Sequence, residues 1–132
     1  MIVLDSGAFL AMVKREPGGF EMRRLLRQHR GETFIHAAQL LEIYYGIQSG
    51  FGIARAERAW AVSDKNYVIQ RSDFDRDFLR DAAFVKLSHK MSFADSFAVA
   101  LARRLNCALV STDHHELDAV HAAGVCDVVF IR

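Results

Sequence analysis

The sequence predicts an α/β fold, a three-layer α/β/α sandwich with a short central parallel sheet. Three observations predict it. Short apolar runs alternate with longer helical patterns along the whole chain. The short runs are apolar throughout rather than at every second position, as strands covered on both faces must be. No repeat, low-complexity tract or linker interrupts the alternation, so residues 1–132 are expected to form a single domain.

The elements follow in order. Ile2–Leu4 is the first expected strand, and a helix begins near Ser6 and stops at the breaker Glu16-Pro17-Gly18-Gly19. A second helix is expected over Phe20–Arg30, ending before Gly31. The strand Thr33–His36 leads into a helix over Ala37–Ser49 and a shorter one over Ile53–Ser63. Tyr67–Gln70 is the third strand, followed by a long helix over Asp73–Lys90 and another over Phe93–Arg104. The strand Ala108–Ser111, a helix over His115–Ala123 before Gly124, and the strand Val128–Ile131 complete the chain.

Composition narrows the function classes. Of 132 residues, 52% are apolar and 25% charged, which excludes disorder. A chain of this length hides roughly two-thirds of its unfolded surface, so it needs no disulfide or structural metal to build a core. Two cysteines do not make a disulfide scaffold. No apolar run approaches a membrane span, and the start Met-Ile-Val-Leu-Asp has no basic leader, so the expected location is the cytosol.

In parallel α/β folds the site lies beyond the carboxyl ends of the strands. Asp5 follows the first strand and Asp113 follows Ala108–Ser111. Each also suits a helix N-cap. Asp95 lies in Ser92-Phe93-Ala94-Asp95, the pattern of a capping box. Glu42 sits mid-helix in Gln39-Leu40-Leu41-Glu42-Ile43-Tyr44-Tyr45-Gly46, where no capping role exists and no basic partner stands three or four residues away. A parallel sheet brings Asp5 and Asp113 to one edge, and the helices carrying Glu42 and Asp95 can present their first turns to it. Four converging carboxylates need raised pKa values or a cation, and an all-oxygen site suits Mg²⁺ or Mn²⁺.

These residues resemble the PIN-domain nucleases, most closely the VapC-type toxins of bacterial toxin–antitoxin pairs. Four stretches carry the resemblance across nearly the whole chain: Ile2-Val3-Leu4-Asp5-Ser6-Gly7-Ala8, Gln39 to Gly46, Met91-Ser92-Phe93-Ala94-Asp95-Ser96-Phe97-Ala98, and Leu109-Val110-Ser111-Thr112-Asp113. The resemblance implies a PIN-like fold with Asp5, Glu42, Asp95 and Asp113 as the catalytic, metal-binding set. It implies an endoribonuclease that uses Mg²⁺ or Mn²⁺ to activate water against RNA such as tRNA or rRNA, leaving 5′-phosphate and 3′-hydroxyl ends. It also implies a homodimer and a cognate antitoxin protein. Two departures stand out. Gly7 replaces a small polar residue, and His114-His115-Glu116-Leu117 follows Asp113 where many relatives have Asp and Phe. Glu116 is a candidate auxiliary metal or water ligand. Ser6 and Thr112 are candidate hydrogen-bonders that orient the carboxylates.

Other chemistry finds little support. The adjacent His114 and His115 point about 100° apart on a helix, and no Cys-x-x-Cys accompanies them. Cys107 and Cys126 read as buried thiols. Setting the four acids aside leaves 17 basic residues against twelve acidic ones, a mildly basic body of the kind a phosphodiesterase needs. Arg23, Arg24, Arg27 and Arg30 concentrate on one segment, and Lys14, Arg15, Lys86, Lys90, Arg103 and Arg104 are further candidates. Phe20, Leu25 and Leu26 beside those arginines suggest an antitoxin or dimer surface. Two alternatives share the architecture: a receiver- or flavodoxin-like Mg²⁺-binding module, and a catalytically inactive PIN-fold interaction protein.

Overall fold

A computed structural model describes all 132 residues. Five strands, β1 (Ile2–Leu4), β2 (Thr33–His36), β3 (Val68–Arg71), β4 (Ala108–Ser111) and β5 (Val128–Phe130), form one sheet in the order β3-β2-β1-β4-β5. Every pairing is parallel. Seven helices connect them: α1 (Ser6–Val13), α2 (Gly19–Gln28), α3 (Ala37–Phe51), α4 (Ile53–Lys65), α5 (Arg76–Ser88), α6 (Phe93–Leu105) and α7 (His114–Ala122).

The pleat divides the core in two. Ile2 and Leu4 face one side with Ile35, Val110 and the inner faces of α1 to α4. Val3 faces the other with Leu109, Val128 and the inner faces of α5, α6 and α7. The sandwich therefore has the three layers expected. No helix is long and apolar enough to cross a membrane.

Element boundaries differ from expectation where capping decides them. The third strand begins at Val68, because Tyr67 sits at φ +57° in the left-handed region. The helix expected from Asp73 starts at Arg76. Asp75 is its N-cap, accepting from the Phe78 amide, while Asp73 is held in ion pairs with Arg71 and Arg104. Leu25 and Leu26 are buried in the core, so they form no surface; of that apolar set only Phe20 is exposed.

The order of strands places the crevice. β1 lies between β2 and β4, and its crossovers leave in opposite directions, so the sheet opens beyond the carboxyl ends of β1 and β4. Asp5 and Asp113 stand at that opening.

Candidate metal centre

A cavity of about 450 Å³ occupies the opening. Asp5, Ser6, Gly7, Glu42, Ser92, Asp95, Thr112, Asp113, Glu116 and Arg132 line it, and none of them is hydrophobic. The four acids singled out by sequence, with Glu116, thus come from β1, α3, α6, β4 and α7 into one hollow.

Local chemistry explains how each arrives. Asp5 ends β1 and caps α1, its Oδ1 accepting from the Ala8 amide at 2.7 Å. Asp113 ends the β4 excursion and caps α7 through the Glu116 amide at 3.2 Å. Ser92 caps α6 by accepting from the Asp95 amide at 3.1 Å, which sets Asp95 in the first turn. Glu42 lies in the second turn of α3 rather than the first, and the Ser6 hydroxyl donates to its Oε1. The capping roles and the convergence are therefore the same geometry.

Gln39 ties these elements together. It is fully buried, accepts from the Ser6 amide at 2.8 Å and donates to the Ala94 carbonyl at 2.6 Å. One side chain thus links the first turns of α1, α3 and α6. Nothing in the sequence pattern marked it, since a glutamine in a helix usually faces solvent.

Ser111 is a second residue that sequence reasoning passed over. It is fully buried, hydrogen-bonds Asp5 and accepts from the Asp113 amide at 2.9 Å. Ser111 thus stands beside Thr112 as a second hydroxyl next to the carboxylates. Thr112 lines the cavity wall beside Gly7, where an added Cβ would lie 2.6 Å from the Thr112 Oγ1. Gly7 is thereby explained: the threonine fills the space a side chain would need.

The electrostatics are those of uncompensated acids. Burial pushes Asp5 up to about 6, the Asp113 and Glu42 charges push the same way, and hydrogen bonds from Ser111 and Ala8 oppose them. Burial also raises Asp95, with a hydrogen bond to Glu116 and the charges of Asp5 and Glu116 adding to it. Glu116 moves down, chiefly through the same bond to Asp95. The two shifts run in opposite directions, and the more buried Asp95 takes the upward one. No lysine or arginine forms a salt bridge with any of the five acids. Arg132 lines the cavity, but its guanidinium reaches Glu16 instead, at 3.4 Å.

The donor set fits a hard divalent cation. Carboxylate oxygens of Asp95, Asp113 and Glu116 lie within 4.8 Å of one another, with Asp5 and Glu42 on the same walls. Histidines add nothing. His114 stacks on Phe130 and bonds Asp118 and the Arg132 carbonyl, while His115 is exposed.

Other candidates resolve into structure. Arg103 is bound by Asp81 and Arg104 by Asp73 and Asp75, so these two are not free for phosphate, whereas Lys86 donates only to the neutral Met91 carbonyl. Asp73 follows β3, but its arginine partners leave it no place as a phosphoacceptor of the receiver type. Cys107 and Cys126 are free thiols, both pushed up by burial, Cys126 to about 11. They flank a larger cavity of about 600 Å³ on the side of the sheet away from the acids, where Asp81 already neutralises Arg103.

Comparison with known proteins gives one family. The PIN domain family model matches residues 2–123. No curated protein sequence matches the chain. Among solved structures, the DNA-bound VapBC from Salmonella typhimurium superposes with a TM-score of 0.75 at 11% identity, covering 99% of this chain and 98% of that one. The sarcin-ricin loop cleaving toxin VapC20 from Mycobacterium tuberculosis gives 0.71 at 18% identity, over 90% of this chain and 95% of that one. A toxin–antitoxin complex from Klebsiella pneumoniae gives 0.71 at 14% identity, over 100% and 98%. At these identities the likeness is one of fold.

Proposed function

The chain belongs to the PIN-domain family, and from that premise we propose that it is a Mg²⁺- or Mn²⁺-dependent endoribonuclease, the VapC-type toxin of a toxin–antitoxin pair. The observation that carries the reading is a hollow walled by five carboxylates to which no basic side chain is paired. A structural acid of this burial normally has a partner. Here the missing partner is a cation, with the phosphodiester as its companion.

Asp95, Asp113 and Glu116 would hold the ion, with Asp5 and Glu42 completing the set. A divalent ion bound there supplies charge neutralisation at a phosphate and a more acidic water for attack on phosphorus. The protein does the rest by positioning. Ser111 and the Ala8 amide pin Asp5 in its charged orientation. The Ser6 hydroxyl turns Glu42 inward, and the Ser92 amide donates to Glu116 Oε2 at 3.0 Å. Burial raises Asp95, and a carboxyl must be deprotonated to ligate, so uptake of an ion there would release a proton.

An antitoxin and a second copy are the proposed protein partners, in line with the toxin–antitoxin complexes among the fold neighbours. Exposed apolar side chains support a need for cover: Leu41, Tyr45, Phe51 and Ile53 on and after α3, and Leu79, Phe84 and Leu87 on α5.

The test is cleavage of tRNA and rRNA with Mg²⁺ or Mn²⁺, repeated with Asp5→Asn and Asp95→Asn. Loss of cutting by at least 100-fold in both variants is expected, and undiminished cutting by both rejects the site. Metal calorimetry separates the inactive interaction protein, which would bind no ion.

A further inference from the structure

We propose that Phe20, Arg15 and Arg23 form a platform for one unpaired nucleotide of an RNA strand that runs on into the acidic cavity, a reading that rests on the ribonuclease function above. Phe20 is the second residue of α2 and stands 76% exposed, while Met22, Leu25 and Leu26 of the same helix are buried. Its ring therefore contributes nothing to the core. Arg15, Glu16, Gly19, Phe20 and Arg23 line a shallow concavity open to solvent.

The two cations are available. Neither Arg15 nor Arg23 has a carboxylate partner, whereas Arg24 on the same helix is paired with Glu21. Arg23 donates from Nη2 to the Met12 carbonyl at 3.3 Å, which steadies the guanidinium and leaves its charge unmatched. Arg15 sits at φ +56°, a left-handed conformation that glycine or asparagine takes more readily. The backbone accepts an arginine there although the fold would be served better by a smaller residue. Glu16, the one acid in the concavity, faces the Arg132 guanidinium.

Arg132 also joins the two sites. It lines the acidic cavity, and its Nη1 reaches Glu16 at 3.4 Å and the Pro17 carbonyl at 3.5 Å on the rim of the Phe20 concavity. A strand with its scissile phosphate over the acids can follow this ridge to the platform. An exposed ring flanked by guanidinium groups is the chemistry of single-strand binding, in which the ring stacks on a base and the cations take phosphates. A duplex offers no free base face, so the segment held there is unpaired.

The experiment measures binding of a fluorescein-labelled octauridylate by anisotropy, with chelator present so that no cleavage occurs. Phe20→Ala is expected to weaken binding about 5- to 150-fold, the range for one stacked base, and Phe20→Trp to restore it. Arg23→Gln is expected to lower the slope of log affinity against log salt by about 0.7. Because Phe20 is exposed, thermal melts of its variants should match wild type. Unchanged affinity in Phe20→Ala overturns the proposal, as does failure of the wild-type chain to bind. Full affinity in Phe20→Leu also overturns it, because leucine offers no face for stacking. A parallel cleavage assay with Mn²⁺ separates this from the function above. Cutting with an unaltered KM in Phe20→Ala removes the platform and leaves the nuclease. Ring-dependent binding without any cutting removes the nuclease and leaves the platform.

Discussion

A buried acid whose pKa rises to about 6 makes folding sensitive to pH, and Asp5 is such an acid. Its carboxyl stays neutral in both folded and unfolded chains at low pH, so no penalty applies there. As pH rises past the unfolded value of 3.8 and then through 6, the unfolded chain ionises first and gains the advantage. The metal-free protein is therefore expected to lose ~3 kcal/mol of stability between about pH 4 and pH 8 from this residue. Asp95, raised as well, acts in the same direction. The check is urea unfolding with chelator at both pH values, in wild type and in Asp5→Asn. The variant should be the more stable of the two at pH 8, and Mn²⁺ at pH 8 should restore the wild type alone. At this scale the acids were legible because charge in an apolar context is conspicuous. Ser111 was not, because Ser111 and Thr112 offer the same hydroxyl. Only the strand's pleat decides which of them faces Asp5.

Elements were legible where hydrophobic periodicity defines them and less so where a cap does. The extents of β1, β2 and β4 follow from apolar runs alone. The start of α5 depends on which of two aspartates, Asp73 or Asp75, takes the cap, and Arg71 and Arg104 decide that by claiming Asp73 from distant parts of the chain. Gln39 belongs to this scale too, since its worth comes from three elements meeting. Gln39→Leu leaves the Ser6 amide without its partner and strips the Ala94 carbonyl of its second bond, and should cost about 1–3 kcal/mol in denaturant unfolding. The turn between α1 and α2 gives a second prediction. A Cβ on Gly19 would lie 2.6 Å from the Ala11 carbonyl oxygen, a backbone atom that cannot swing away. Gly19→Ala should therefore destabilise by about 1–3 kcal/mol, read as a lower midpoint at unchanged slope. Gly46→Ala, which meets nothing, is the matched control.

Across the whole molecule, one direction of travel organises everything. All strands run parallel, so every β-to-α passage near the centre opens on the same edge, and acids far apart in sequence meet there. That much could be read from alternation and from Asp5 and Asp113. What could not be read was which cations are already spent, because Arg103 and Arg104 looked as free as Arg15 and Arg23. The fold spends the first two on Asp81, Asp73 and Asp75. Ion uptake tests the assembled site: calorimetry at pH 7 in buffers of different ionisation enthalpy should show net proton release on Mn²⁺ binding, and none in Asp95→Asn. The coincidence of helix starts with the acidic walls has one more consequence. Truncating Asp5 or Asp113 to alanine would fray a helix while also removing a carboxylate from the cavity, so an alanine scan would report folding defects and the loss of that charge as one number. Asparagine keeps an oxygen for the orphan amide and discards only the charge, which makes it the substitution that can tell a broken scaffold from a lost negative charge.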